Sequence, residues 1–504
     1  MSLLKQNISA NLFGNGWHAL MAFVFVPLYI KFMGVEAYGV VGIYASLQVL
    51  SGLLDMGVSG TLNREMARLS VLPGKEQEMR NLVRSLEIIY WGIALVIGIA
   101  VIAISPFIAH HWVRADQLSA STIEQAVLII GFTLMLQWPL SFYTSGLMGL
   151  QRQIILNVVT VSISTLRGVG AVAVLWLLSP TIQAFFLWQI VVSAIHTFLL
   201  VIIFWSKLPK SESRPVFKKQ LLHGIWRFAA GMGAITIMSI ILTQLDKIIL
   251  SKMLSLEMFG YYTLAGIIAM SPLRFSWPIF SGIYPRFTQL ASIHDYQQLK
   301  NLYHKGCQFM AVLILPFAIV VAFFSSEIIL LWSQSQITAE KTHLLVSILI
   351  CGTALNVLMH LPHAMQLAFG WTKLLFYKNL LYVIVLVPLI IYMTARYGAL
   401  GAASVWLLLN AGSVLFEIPI MHRRFLHKEK WHWYWQDVLI PLGTAILIAG
   451  LGKIFMGDAM TQFMTLIYLI IVSALTLGIT AIATNATRSW VLERLWKNKF
   501  LKIT

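Results

Sequence analysis

The chain has 504 residues, 59% hydrophobic and only 11% charged, with a mean hydropathy of +0.80 and a formal net charge of +17. Soluble proteins carry about 25% charged residues, so a water-facing surface is excluded here, and the 12% aromatic content excludes disorder. The only two cysteines, Cys307 and Cys351, sit in apolar stretches, which leaves no disulfide framework and no CxxC metal site.

A membrane helix needs about 20 mostly apolar residues. Such stretches occur at residues 8–31, 37–62, 83–112, 122–148, 154–178, 181–205 and 222–250. They continue at 257–284, 304–332, 342–369, 374–395, 398–421, 437–456 and 461–484. The first has one preceding lysine, several asparagines and no A-x-A site, so it reads as a membrane span and not as a cleaved signal. The expected fold class is all-α, a polytopic membrane protein with about 14 transmembrane helices.

Charge placement gives the orientation. Of the 36 lysines and arginines, 27 fall at the N-terminus, the even-numbered loops and the C-terminus. Six fall in odd-numbered loops (Lys31, Arg114, Lys252, Lys341, Arg396 and Lys453), and Arg167, Lys247 and Arg274 lie at membrane depth. This is the positive-inside pattern with both termini cytoplasmic. A nucleic-acid binder would concentrate its charge on one face, so no nucleic-acid partner is expected. The aromatic-basic clusters at Trp431–Trp435 and in the tail from Arg488 to Lys502 suit anchoring at the headgroup layer.

The chain repeats itself at an offset near 222. Val35-Glu36-Ala37-Tyr38-Gly39 matches Leu256-Glu257-Met258-Phe259-Gly260, Asn63-Arg64 matches Pro285-Arg286, and Gln137-Trp138-Pro139 matches His360-Leu361-Pro362. Asn157 also matches Asn379. Six spans per repeat give both halves one orientation and predict two pseudo-symmetric lobes related by an axis along the membrane normal. The expected domains are an N-terminal six-helix lobe (1–206), a cytoplasmic linker (207–221) and a C-terminal six-helix lobe (222–424). Two additional C-terminal helices and a basic tail follow (425–504). A central cavity between lobes is the expected site, reached by alternating access.

Polar stripes run along four helices. Asn7, Asn11, Asn15 and His18 share one face of the first; Thr236, Ser239, Thr243 and Asp246 share one face of the seventh. The fourth carries Thr133, Gln137 and Ser141, and the tenth Thr353, Asn356, His360 and His363. Either these are hydrogen-bonding glue between helices or they line a wet cavity, a reading favoured by their recurrence in both halves. Pro139, Pro272, Pro278 and Pro362 are expected to kink their helices. Arg167 and Arg274 lie about 18–20 Å along their helices, near mid-membrane and with no acid at their level. They serve either an anionic substrate or a structural pairing. Asn15, His18, Gln137 and His360 complete the candidate binding set. Asp55 with Arg64 is a candidate intracellular gate or a plain helix-end charge pair, and Asp246 with Lys247 a candidate ion-coupling site or exterior gate. Glu36 and Glu257 sit in first turns, where an acid complements the helix dipole.

The segment from Thr243 to Ala265, with Asp246-Lys247, Leu254-Ser255, Glu257 and Gly260-Tyr261-Tyr262, resembles a signature of the polysaccharide flippases. These belong to the multidrug/oligosaccharidyl-lipid/polysaccharide exporter superfamily. Leu54-Asp55-Met56-Gly57 followed by Arg64 is similar to that family's element at the end of the second helix. The resemblance covers roughly residues 7–424. It implies lobes of six helices and outward flipping of an undecaprenyl-diphosphate-linked oligosaccharide across the bacterial inner membrane, for O-antigen, capsule or exopolysaccharide assembly. A glycan polymerase and a chain-length regulator are the protein partners it suggests. Neither catalytic residues nor a cofactor is expected, and coupling to H+, Na+ or the membrane potential stays open. The alternatives are a lipid II flippase, a cation-coupled multidrug extruder of the same superfamily, and, from another class, a membrane glycan polymerase or glycosyltransferase. The extruder would want a mid-membrane carboxylate, and the enzyme a sizeable catalytic loop.

Overall fold

The computed structural model describes residues 3–221 apart from 56, 71 and 212, and residues 244–488 apart from 372, 458 and 459. Regular structure among them is helical, save one bridge between Arg114 and Ser255. Ten of the described helical stretches are long and apolar enough to cross a membrane. One of these, Tyr377–Phe425, holds two of the expected spans, broken at Gly398 (φ 59°). The expected seventh span lies largely outside the described residues. The protein is an all-α, multi-pass membrane protein.

The chain forms two compact units, Met1–Gly260 and Tyr261–Thr504. In the first, α1 (Leu3–Met33) leads to α2 (Val35–Ser51), a 3-10 turn (Gly52–Asp55) and α3 (Val58–Leu69). Then come α4 (Glu76–Phe107), α5 (Ala120–Gln137), α6 (Leu140–Gly149), α7 (Gln153–Leu177) and α8 (Ile182–Lys207). Helical residues 244–253 form α9, and α10 (Leu256–Ala269) runs across the boundary between the units. The segment after α8 is tied along α4: the Val216 and Lys218 amides donate to Asn81 Oδ1 and Ser85 Oγ at 2.9 and 2.8 Å.

Helix starts follow cap chemistry. The hydroxyls of Ser119 and Thr181 accept the amides of Thr122 and Ala184, satisfying donors that the first turn leaves unpaired. Pro139 separates α5 from α6, as its ring and missing N–H require. The α2/α3 corner turns at Gly57, whose φ of 72° is left-handed and suits a residue without Cβ. Helices α4 and α5 approach closely at Gly98 and Gly131, where a Cβ on Gly131 would lie 2.7 Å from Ile102 Cγ1. Small residues at such points let membrane helices gain van der Waals contact. Tyr90, Trp138, Phe142, Tyr143 and Phe204 fill the interior between α4, α6 and α8, with ring centroids 4.6–6.2 Å apart.

In the second unit α11 (Ser271–Ser292) begins with Pro272 in its first turn, and α12 (Tyr296–Phe323) and α13 (Ser325–Ser333) follow. Next come α14 (Gln336–Leu358), α15 (His360–Ala368), α16 (Lys373–Gly412) and, after a π-helical turn (Ser413–Glu417), α17 (Ile418–Phe425). The short α18 (Lys430–His432) passes into a second π-helical turn (Trp433–Leu439), then α19 (Ile440–Ile454) and α20 (Gln462–Ala483). Helix α12 is the hub: it packs against α11, α14, α19 and α20. The expected tenth span breaks at Met359 just before Pro362, and the fourth at Trp138 beside Pro139. Corresponding positions of the sequence repeat thus carry corresponding breaks.

Candidate functional site

A cavity of about 560 Å³ opens within the first unit, lined from α1, α2, α5, α6, α7 and α8. Arg167 enters from α7. Its guanidinium donates to Gln189 Oε1 on α8 at 2.7 Å and, more weakly, to Ser193 Oγ at 3.4 Å. Both partners are buried and neutral, and among the described residues no carboxylate pairs with Arg167. The Trp188 indole N–H donates to the Arg167 carbonyl at 3.2 Å, fixing the register of α7 on α8.

Gln137 lines the same cavity from the last turn of α5. Its Oε1 accepts the Tyr44 hydroxyl at 2.6 Å and Gln48 Nε2 at 3.0 Å, so α2 and α5 share one polar patch. Ser141 also faces the cavity, while Thr133 bonds back to the Ile129 carbonyl at 2.9 Å and does not. Asp55 sits at the wall. Its carboxylate accepts the Tyr90 hydroxyl, and Ser59 Oγ at 2.8 Å. The cavity therefore holds one guanidinium with neutral partners and one carboxylate already committed to hydroxyl donors, so the unpaired charge at the Arg167 end is positive.

The other expected residues are placed as follows. The side chains of Asn15, His18 and Arg64 lie outside the described residues. Arg274 is exposed on α11 of the second unit. His360 opens α15 and is half-buried, edge-on to Phe280 at 6.3 Å. Asp246 and Lys247 are half-buried on α9, where Lys247 Nζ donates to Gln244 Oε1 at 3.3 Å.

The tenth-span stripe makes contacts between helices of the second unit. Asn356 Nδ2 donates to Asn410 Oδ1 at 2.8 Å, and the Trp406 indole donates to Thr353 Oγ1 at 3.2 Å. His363 meets the buried Glu417, which also takes Gln366 Nε2 at 2.7 Å and Lys378 Nζ at 3.1 Å. Lys378, one of the 27 basic residues assigned to the cytoplasmic side, lies in α16, mostly buried against that carboxylate. Glu36 also does more than sit in a first turn. It is buried, and its oxygens accept the amides of Asp116 and Gln117 at 2.9 Å and of Leu118 at 3.3 Å, clamping the loop before α5.

Residues 4–291, more than half of the chain, match the family described as Polysaccharide biosynthesis protein. The chain belongs to that family. A relative from Shigella flexneri named "Putative O-antigen transporter" is 22% identical over 410 residues, covering 81% of this chain and 94% of the relative. The "Amylovoran biosynthesis protein AmsL" of Erwinia amylovora is 26% identical over 223 residues, 43% of this chain and 55% of the relative. Among solved structures, "Lipid II flippase MurJ, inward closed conformation" aligns with a TM-score of 0.69 at 14% identity, covering 95% of this chain and 98% of that one. An inward-facing multidrug resistance MATE family transporter of the MOP superfamily aligns at 0.65 and 14% identity, covering 81% and 94%. At these identities the structural likeness establishes a shared fold.

Proposed function

We propose that the protein flips an undecaprenyl-diphosphate-linked oligosaccharide from the cytoplasmic to the outer leaflet of the bacterial inner membrane, for surface polysaccharide assembly. Family membership and the Shigella relative's name support the pathway. The observation that carries the mechanism is Arg167, a guanidinium with neutral partners set in a cavity that Gln48, Gln137, Ser141 and Gln189 also line, within a membrane-spanning unit. Each unpaired hydroxyl of a sugar headgroup costs several kcal/mol in hydrocarbon, and a diphosphate costs more. Polar walls such as Gln137, Tyr44 and Ser141 replace that hydration, and the arginine fork matches phosphate geometry. The lipid tail stays in the bilayer. The protein acts as a transporter without catalysis, its termini on the cytoplasmic side, its two lobes alternating access around the substrate. Arg274, Asn15, His18 and His360 are proposed as further substrate contacts, and Asp55, Arg64, Asp246 and Lys247 as gating or coupling groups.

The test is surface glycan in a strain deleted for this chain and complemented by variants. Arg167→Ala should abolish surface glycan at normal protein level, and Arg167→Lys should restore part of it, because the charge survives and the bidentate fork does not. Wild-type glycan export by Arg167→Ala would overturn the reading. Rescue of a lipid II flippase deletion by the wild-type chain would instead assign the substrate to that branch.

A further inference from the structure

A further polar cluster lies in the second unit. Helix α12 contributes His304 and Gln308; the end of α18 and the π-helical turn after it contribute His432 and Asp437. Asp437 is fully buried, and His304 is more than nine-tenths buried. His304 Nδ1 lies 2.5 Å from Asp437 Oδ2, and His432 Nε2 lies 3.9 Å from Asp437 Oδ1. The two imidazole centroids are 4.3 Å apart.

We propose that His304, His432 and Asp437 bind a divalent transition-metal ion, zinc by donor type, fastening the thirteenth span to α12. One ligand atom from each residue lies within 4.8 Å of the others. A tetrahedral zinc with bonds near 2.0–2.1 Å spaces its ligands about 3.4 Å apart, so side-chain rotation closes the cluster on an ion. Two imidazoles and one carboxylate form a three-ligand zinc set, with the fourth position left to water.

Three further observations point to a cation. His304 Nε2 is buried and makes no hydrogen bond among the described residues, although Glu429 Oε2 is 3.3 Å away. The local charge is two carboxylates, Asp437 and Glu429, against one lysine, Lys300, which Glu429 already engages at 2.5 Å; with neutral imidazoles a net negative charge remains. The backbone is also bent to the task. Positions five apart stand about 140° apart on an α-helix, whereas a π turn, with its i to i+5 bonds, lines them up. The π turn starting at Trp433 thus turns His432 and Asp437 toward one side. Such turns recur at functional sites.

The surroundings hold the carboxylate in place. Gln308 Nε2 donates to Asp437 Oδ1 at 2.8 Å, and Gln308 Oε1 accepts the Ala486 amide at 2.9 Å, which ties the segment after α20 to the same point. Partners of this kind orient ligands and raise metal affinity 10- to 100-fold.

The experiment uses the full chain in nanodiscs, stripped with chelator and titrated with zinc or cobalt alone. The exposed His110 beside Glu124, with His111 next to it, would catch zinc adventitiously, so every protein carries H110N/H111N. That background protein should retain one zinc per chain after desalting, show the visible d–d absorption of tetrahedral cobalt, and melt at a higher temperature with metal. H432N and D437N should lose all three signals, and Q308L should bind 10- to 100-fold more weakly. If H432N keeps the zinc of the background protein, or the background protein shows no tetrahedral cobalt spectrum, the site does not exist. The second result stands even should the variants aggregate.

Discussion

Glu417 offers a quantitative test of how the second unit is held together. Its carboxylate, 3% exposed, takes Lys378 Nζ and His363 Nε2, each at 3.1 Å, and Gln366 Nε2 at 2.7 Å; Lys378 is 13% exposed. Desolvating both ions is costly, so the pair contributes little relative to a well-packed apolar replacement, but a single survivor is an uncompensated buried charge. Breaking such a pair costs about 3–5 kcal/mol. Lys378→Met should fall at the lower end of that range, because Gln366 and His363 still donate to the carboxylate. Glu417→Gln should cost a similar amount by leaving Lys378 facing His363 Nε2 at 3.1 Å. The double variant should recover about half of a summed loss of about 6 kcal/mol, a coupling energy of about 3 kcal/mol. Denaturant unfolding in detergent micelles, followed by tryptophan fluorescence, measures all four corners of the cycle. Additive single losses, or a Lys378→Met cost under about 1 kcal/mol, the surface-pair range, would show that the cluster is solvated and not a buried network.

Two further perturbations address the first unit. Gly131→Leu should destabilise by about 1–3 kcal/mol through overpacking, because even a Cβ there meets Ile102 and the Gly98 carbonyl at 2.7 and 3.1 Å; an unchanged melting temperature would mean that α4 and α5 separate freely. Tyr90→Phe removes one donor from Asp55 and leaves Ser59, so protein level should hold and stability fall by about 0.5–1.5 kcal/mol, as thermal unfolding would show; export should drop further than that loss explains if Asp55 gates the cavity.

The sequence disclosed what hydropathy and chain-local chemistry encode. The spans follow from apolar length, and the breaks at Pro139, Pro272 and Pro362 from a ring that cannot continue a helix. Gln137 was legible because its stripe on α5 ends in the cavity. The tenth-span stripe has the same spacing and instead bonds Asn410, Trp406 and Glu417. Periodicity shows that a face is polar; whether water or another helix meets that face depends on tertiary packing. The partners of Glu36, Glu417 and His304 lie 80, 39 and 133 positions away in the chain, beyond any local pattern. Asp437 is hidden from sequence patterns for a second reason: the π turn that sets it beside His432 breaks the 3.6-residue period of an α-helix.

The geometry around Arg167 also bears on how a substrate could leave. A doubly charged anion moving outward gains about 2 × 2.3 kcal/mol per 100 mV of inside-negative potential, so under the proposed function the transmembrane field favours export, and release from the binding group becomes the step to manage. A charge-assisted hydrogen bond contributes about 1.5–3 kcal/mol, so a bidentate grip is of the same order as that push. An arginine locked to a carboxylate would give the anion little hold; an arginine with no partner would leave a buried charge each time the site emptied. Gln189 and Ser193 stand between these extremes. Their neutral oxygens accept the guanidinium, and under the proposed function a phosphate would displace them. Such an exchange would be nearly balanced at each step, as the proposed function requires of a site that binds on one side and lets go on the other.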